Sequence, residues 1–181
     1  MTLKQTLRFC ALLVLLTGLV YTPTVTMVAQ RLVPFQANGS IVATASGSGA
    51  SLLVAQSATG DQYFWHRPTP YKDWEATIRT RINTISKTAQ AAEVPADMVM
   101  AASDGSDPYI SIENAQIQLF RVATARGVSA EVVSAIVDRL TIPATARLIG
   151  ATVVNVNQLN IVLDQVLPNG APTPILPAAY K

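Results

Sequence analysis

The sequence predicts a small α/β domain, with α+β as the open variant, behind a single N-terminal transmembrane helix. Three observations carry that reading. From Phe9 to Gln30 no residue is charged, a run long enough to cross a hydrocarbon core of roughly 30 Å. Beyond it, amphipathic helical repeats alternate with short apolar or β-branched runs, the pattern of a modest sheet covered by helices. The length of 181 residues, half of them hydrophobic, suits one ordinary domain plus a short appendage.

Lys4 and Arg8 precede the apolar run and Arg31 closes it, so residues 1–8 read as a tail and 9–31 as a span. The excess of basic residues before the span places the tail in the cytoplasm and residues 32–167 outside, as an extracytoplasmic domain. A secretory signal peptide is the other reading. The core A-L-L-V-L-L-T-G-L-V fits one, with a basic start and an apolar stretch of about 7–15 residues. However, V-T-M-V-A continues the run and no clear A-x-A cleavage site follows, so span length favours an anchor. Pro23 would break a soluble helix but is tolerated in a membrane helix, where neighbouring groups satisfy the freed backbone.

The turn Asn38-Gly39-Ser40 leaves the membrane face. The segment A-S-G-S-G-A-S has glycine and serine but neither the G-K-[ST] nor the helix start of a phosphate loop, and reads as a mobile connection. Ser51–Gln56 reads as a short strand. Asp73–Ala92 reads as an amphipathic helix, with Trp74, Ile78, Ile82, Ile85 and Ala89 on one face and Pro95 beyond its end. Met98–Ala102 suggests a buried strand, and S-D-G-S-D-P a turn. Ser111 is a good N-cap for a helix burying Ile112, Ala115, Leu119, Val122 and Ala123, stopped by Gly127. Ser129 begins the next, burying Val132, Val133, Ile136, Val137 and Leu140. Leu148–Val156 is strand-like, Leu159–Val166 reads as a last short helix, and 168–181 as a disordered, proline-rich tail.

Composition excludes several classes. A net charge of +2 without a basic cluster argues against nucleic acid as a partner. The one cysteine, Cys10, sits in the span, which rules out an intrachain disulfide and a Cys-based zinc site. Catalysis finds no constellation: His66 is the only histidine, and no G-x-S-x-G elbow exists. The turn D-G-S-D-P has two aspartates around a glycine, yet too few oxygen ligands for a calcium loop; a tight turn needs the same residues. Neither catalytic nor metal-binding residues are expected. The stretch Y-F-W-H-R-P-T-P-Y stands out as an aromatic-plus-arginine set, the composition of protein interfaces. Phe64 and Trp65 packing on the domain's own sheet, with Pro68 fixing the turn, is the equally open alternative.

Six blocks also fall in the order of one family. They are L-T-G-L-V-Y-T-P, V-P-F-Q-A-N-G-S-I, Y-F-W-H-R-P-T-P, D-G-S-D-P-Y-I-S, Q-L-F-R-V-A-T-A-R-G and V-N-V-N-Q-L-N-I-V-L-D. In these the chain resembles the C subunit of the Kdp-type potassium-transporting P-type ATPase complex, the KdpC family, from the anchor to Asp164. The family's glycine-rich A-S-G-G-S-N-L stretch is replaced here by Y-K-D-W-E-A-T-I-R-T, Met100 stands for a usual threonine, and Ser106 for a common leucine.

The resemblance implies motif or partner-contact positions at Gln36, Ala37, Asn38, Gly39 and Ser40, at Tyr63, Phe64, Arg67 and Pro68, and at Asp107, Ile110 and Ser111. It implies the same for Arg121, Arg126, Asn155, Leu159, Asn160 and Asp164. Arg121 and Arg126 would pair with carbonyls or acidic groups such as Asp107 or Asp164, the plain alternative being a solvated helix face. The resemblance also implies a single-pass protein of the bacterial inner membrane that is no enzyme by itself. It would bind no cofactor directly, meeting ATP only through the complex, and it points to no nucleotide-binding residues. Its partners would be a channel-like potassium-translocating subunit, an ATP-hydrolysing subunit and membrane lipid. Its role would be assembly, and raising the hydrolytic subunit's affinity for ATP. Two rival readings are a diverged anchored or secreted periplasmic binding or adaptor domain, and a hydrolase that would need His66.

Overall fold

The computed structural model describes residues 2–44, 49–56, 58–69, 74–88, 94–102, 105–146 and 150–167. The chain forms two compact units that divide between Ile41 and Val42. The fold class is the mixed helix-and-sheet one expected, with one N-terminal apolar helix.

The first unit is dominated by one helix over Leu3–Leu32, long and apolar enough to cross a membrane. Its 30 residues rise roughly 45 Å, more than the roughly 30 Å of hydrocarbon. It comprises α1 (Leu3–Leu15), a π-helical segment (Leu16–Tyr21) and α2 (Thr22–Leu32). The wide turn has a cause in Pro23. A proline ring collides with the carbonyl four residues back and offers no N–H, and a widened turn relieves that clash. The Thr17 carbonyl accepts both the backbone N–H of Thr22 and its hydroxyl, the latter at 2.8 Å. Thr24 Oγ1 donates to Val20 O at 2.6 Å, so threonine hydroxyls reinforce the turns on either side of the proline.

A short helix α3 (Pro34–Ala37) follows. Asn38 donates to Pro34 O from its backbone N and from Nδ2, at 3.1 and 2.7 Å, and Ser40 N donates to Phe35 O. Gly39 and Ser40 both adopt positive φ, 85° and 50°, which reverses the chain. Ser40 is a true left-handed non-glycine residue, an uncommon conformation held here by that capping network.

Strand β1 (Ile41–Ala43), which begins at the last residue of the first unit, pairs with β2 (Gly49–Ser51). The main sheet is antiparallel in the order β3-β5-β4, from Tyr109–Ser111, Val153–Asn155 and Thr141–Ile142. Tyr109 faces Asn155 and Ile110 faces Val154; Thr141 faces Val154 across the other edge. Helices α6 (Ile112–Arg126), α7 (Ala130–Leu140) and α8 (Val156–Val166) pack on it, α7 touching both α6 and α8, and α4 (Trp74–Thr88) packs on α6. One core joins Phe64, Ile110, Leu119, Val122, Ile136, Leu159 and Leu163, each worth about 1.5–3 kcal/mol on full burial.

Helix α6 follows the expected signals. Ser111 Oγ accepts from Asn114 N at its start, and Gly127 ends it at φ 66°. Ser129 takes the N-cap position of α7 without a side-chain cap bond. Four expectations need correcting. Met98 and Val99 lie in a short helix α5 (Ala96–Val99), not a strand, because Pro95 and Asp97 supply a helix start. Of Ser51–Gln56 only Ser51 is strand; 52–54 bend because side chains from α8's start claim the carbonyls of Leu52 and Val54. The last helix begins at Val156 rather than Leu159, since Asn155 Oδ1 caps it by accepting from Gln158 N. The strand expected from Leu148 is confined to Val153–Asn155, with 147–149 outside the described residues. The helix expected over Asp73–Ala92 is described from Trp74 to Thr88. The proline-rich tail, 168–181, also lies outside the described residues.

Candidate functional site

The family motifs of the second unit converge on one extended segment, residues 61–67. It has no strand partner, yet six consecutive carbonyls are all claimed by side chains. Arg121 donates to Asp61 O at 2.7 Å and to Tyr63 O at 2.9 Å. Arg126 Nε takes Gln62 O at 2.8 Å. Asn160 Nδ2 donates to Phe64 O and its Oδ1 accepts from Phe64 N, at 3.0 and 2.9 Å. Gln118 does the same for Trp65, with Nε2 to O at 3.1 Å and Oε1 from N at 2.7 Å. Arg81 donates to His66 O at 2.7 Å. Two side-chain amides thus stand in for a neighbouring strand, meeting the rule that buried backbone groups are paired.

Helix periodicity explains how so few elements reach so many groups. Asn114, Gln118 and Arg121 recur at i, i+4 and i+7 on α6, and Asn157, Asn160 and Asp164 at i, i+3 and i+7 on α8. Each row lies on the buried face of its helix, among apolar residues. The bonds continue within the rows: Gln118 Nε2 donates to Asn114 Oδ1, and Arg121 to Gln118 Oε1, both at 2.8 Å.

Three guanidinium–carboxylate pairs frame the segment. Arg126, buried, meets Asp164 at 2.8 Å and also donates to Leu167 O. Tyr63 donates its hydroxyl to the other Asp164 oxygen at 3.1 Å; burial first, then that carboxylate, pushes the phenol above its ordinary pKa. Arg67 pairs with Asp107 at 3.2 Å and donates to the carbonyls of Met100 and Ala101, fixing the loop that approaches β3. Arg121, only 3% exposed, has the exposed Asp61 at 3.7 Å and lies over the Trp65 ring at 3.6 Å. Burial lowers it to about 10, so it stays charged at neutral pH. Arg81 approaches the same ring at 5.4 Å.

The expected positions therefore divide. Tyr63, Phe64, Arg67, Asp107, Arg121, Arg126, Asn160 and Asp164 come together around the segment. Asn155 holds the neighbouring turn through Leu52 O, at 2.8 Å, while Ile110 and Leu159 are core residues and Pro68 is buried. Ser111 caps α6, and its N and Oγ both donate to Asp97. Gln36, Ala37, Asn38, Gly39 and Ser40 form the turn of the first unit. Arg121 pairs with Asp61 rather than Asp107, whose partner is Arg67. Gln118 and Asn157 stand in the quoted blocks without being singled out, and Asn114, Asp61 and Arg81 lie outside them; amides recurring at helical spacing inside apolar faces are the signal that marks Asn114, Gln118 and Asn157.

Chemically the arrangement holds rather than reacts. His66 sits among Trp65, Arg81, Met98 and Gln118 in a space too tight for water, and its Nε2 has no hydrogen-bond partner. Burial pulls its pKa down to about 4, only partly opposed by the Asn157 side chain, so the imidazole is neutral at physiological pH. No nucleophile is bonded to it. Among the described residues no group of three or more His, Cys, Asp or Glu is placed to hold a metal. One cleft of about 250 Å³ opens beside the segment, lined by Thr44, Ala50, Gln56, Tyr63, Asn157 and Asp164. Both oxygens of Asp164 are already engaged there by Arg126 and Tyr63.

Comparison with known proteins agrees with the motif geometry. The family model described as "K+-transporting ATPase, c chain" (KdpC) matches residues 3–165. A potassium-transporting ATPase KdpC subunit from Pseudomonas savastanoi pv. phaseolicola is 37% identical over 179 residues, covering 90% of this chain and 93% of its own. Those from Rhodospirillum rubrum and Geobacter sulfurreducens are 36% and 32% identical, covering 92% of this chain and 97% and 98% of theirs. With its motif residues gathered on one side-chain-laced segment and its length matched almost end to end, the chain belongs to the KdpC family, the c chain of the K+-transporting ATPase.

Proposed function

We propose that this chain is the non-catalytic, membrane-anchored subunit of an ATP-driven potassium importer. In this reading it joins the channel-like potassium-translocating subunit to the ATP-hydrolysing subunit and raises the latter's affinity for ATP. The observation that carries the non-catalytic part is the use of the polar motif residues. Gln118, Arg121, Arg126, Asn160 and Asp164 are all engaged in holding residues 61–67, which leaves no free base beside a nucleophile. Lys4 and Arg8 before the span, against Arg31 after it, support an N-in topology in the bacterial inner membrane. With the second unit outside, an effect on a cytoplasmic nucleotide must be transmitted through the membrane subunits as a coupling free energy.

The test is co-expression with the other subunits, pull-down on a tag carried by this chain, and potassium-stimulated ATP hydrolysis with and without it. Assembly together with a lower KM for ATP supports the reading. A folded, inserted chain that captures neither partner would overturn it, and a measurable KM unchanged by the chain would remove the chaperone role alone.

A further inference from the structure

Within the second unit, His66 Nε2 is shut off from water and lacks a hydrogen-bond partner. The space it faces is lined by Trp65, Arg81, Met98, Asn114 and Gln118 and is too tight for a water molecule. Neither tautomer of the imidazole is satisfied there, and an imidazolium would need an acceptor that is missing. The lining residues are held unequally. Asn114 and Gln118 stand on α6, which buries eight of its side chains, while α7 and α8 bury three and seven. Arg81 comes from α4, where none of the described side chains, residues 75–84, is buried. Elements with so little buried surface are the first to open locally. Arg81 donates to His66 O at 2.7 Å and stands 5.4 Å from the centre of the Trp65 ring, so it fastens α4 and covers the imidazole at once.

We propose that α4 is an acid-released strap: a proton on His66 places a second cation beneath Arg81, and α4 lifts off α6 and residues 61–67, uncovering the imidazole and the Trp65 ring. The charges around His66 set the direction. Arg81 faces it from α4, and Arg121 of α6 stands 3.6 Å over the Trp65 ring beside it. Asp107, ahead of β3, is the carboxylate that acts on it, and is already paired with Arg67 and with the Tyr109 N–H. Asn157 of α8 favours the proton, while Met98 of α5 and Asn114 and Gln118 of α6 are uncharged. Arg81 yields rather than Arg121, because Arg121 is buried and tied to Asp61 O, Tyr63 O and Gln118 Oε1. Burial first, with Arg81 adding to it, keeps the covered imidazole neutral down to about pH 4, against 6.5 when free. Protons therefore bind the released form in preference, and the ratio of released to closed rises about tenfold per pH unit between those values. This inference is independent of the potassium-transport reading.

The experiment is amide hydrogen exchange, read by mass spectrometry, on the full chain in dodecyl maltoside micelles at steps between pH 7 and pH 4. Protection is taken against the intrinsic exchange rate at each pH. The amides of α4 should be less protected than those of α8 at every step, and their protection should fall about tenfold per unit below pH 6.5. His66→Gln, or His66→Asn where that variant does not fold, should hold the protection of α4 level. Equal protection of α4 and α8, which would mean that α4 opens only with the whole unit, overturns the proposal in the native chain alone. So does protection of α4 that is unchanged across this range, and so does the same fall in the His66 variants.

Discussion

Asn160→Ala removes the one side chain that pairs with both polar groups of the Phe64 backbone, at 2.9 and 3.0 Å. Phe64 is fully buried, so nothing else in the fold replaces the amide. A buried backbone group left unpaired costs about 1–3 kcal/mol, and two are orphaned here. Asn160 also borders the open cleft, so water entering from that side would recover part of the loss. A destabilisation of about 2–4 kcal/mol is the result, a large share of the roughly 5–15 kcal/mol that holds a typical domain together. At roughly 3–5 °C per kcal/mol for a unit of this size, the midpoint should fall by roughly 6–20 °C. The assay is thermal and urea unfolding of the full chain in nanodiscs, followed by near-ultraviolet circular dichroism of the stacked Trp65. Asn160→Asp is the sharper variant. Its carboxylate can still accept from Phe64 N, but it sets a second acceptor against Phe64 O and buries a charge, so at neutral pH it should do no better than alanine. A loss under about 0.5 kcal/mol for Asn160→Ala would refute the idea that side-chain amides replace a strand here.

Arg126→Met, which breaks a buried pair and frees the carbonyls of Gln62 and Leu167, should cost about 3–5 kcal/mol by urea titration. Arg126→Lys should fail to restore it, because a point ammonium cannot span three acceptors. His66 has its folded pKa depressed from 6.5 to about 4, so between those values the unfolded chain binds more protons and stability falls as pH falls. His66→Gln should flatten that slope between pH 6.5 and about 4, as read by urea midpoints in buffered steps, and an unchanged slope would show that other groups set it. Gly105→Ala should cost about 1–3 kcal/mol in the same titration, since φ is 75° and the new methyl would stand 2.6 Å from Thr69 Cγ2. Reversing the flanking charges, with Lys4→Glu and Arg8→Glu, should shift part of the population to the opposite topology in a protease-protection assay.

The helices of the second unit were legible because their signals are local. Ser111, Gly127 and the apolar spacing of α6 and α7 fix boundaries within a few residues of sequence. The strands were less so: β3, β4 and β5 are two or three residues long, too short for alternation to register against neighbouring apolar residues. Met98–Ala102 shows the limit, since an apolar run that short fits helix and strand alike, and Pro95 with Asp97 decided it. Of the site, the motif residues were visible but not their task. Arg121 and Arg126 had carbonyls among their candidate partners, yet nothing local to α6 indicates that those carbonyls belong to residues 61–63. The amides Asn114, Gln118 and Asn157 carry a helical spacing that is visible in the sequence, but only their burial shows that they bond backbone rather than solvent. Phe64 lies in the domain's own core, and the half-buried Trp65 ring is met by two of the domain's own guanidinium groups, those of Arg121 and Arg81.

The clamp around residues 61–67 also sets an order of events during synthesis. Its closing bonds reach forward 53 residues to Gln118 and 96 to Asn160, and none of its carbonyls finds a partner within its own element. Apart from Arg81 at His66, 15 residues on, the segment's carbonyls are paired by side chains of α6 and α8 and cannot acquire those native contacts until both helices exist, and loop closure over such separations is slow. The aromatic stretch, made early, must wait as an extended, uncommitted strand until the final helix has left the ribosome. Loss of the chain beyond Leu159 would remove Asn160 and Asp164 together and leave Tyr63, Phe64 and Trp65 unseated. The second unit should therefore tolerate truncation at its far end poorly, and a nascent chain stalled there should be the species that proteases and holdases meet.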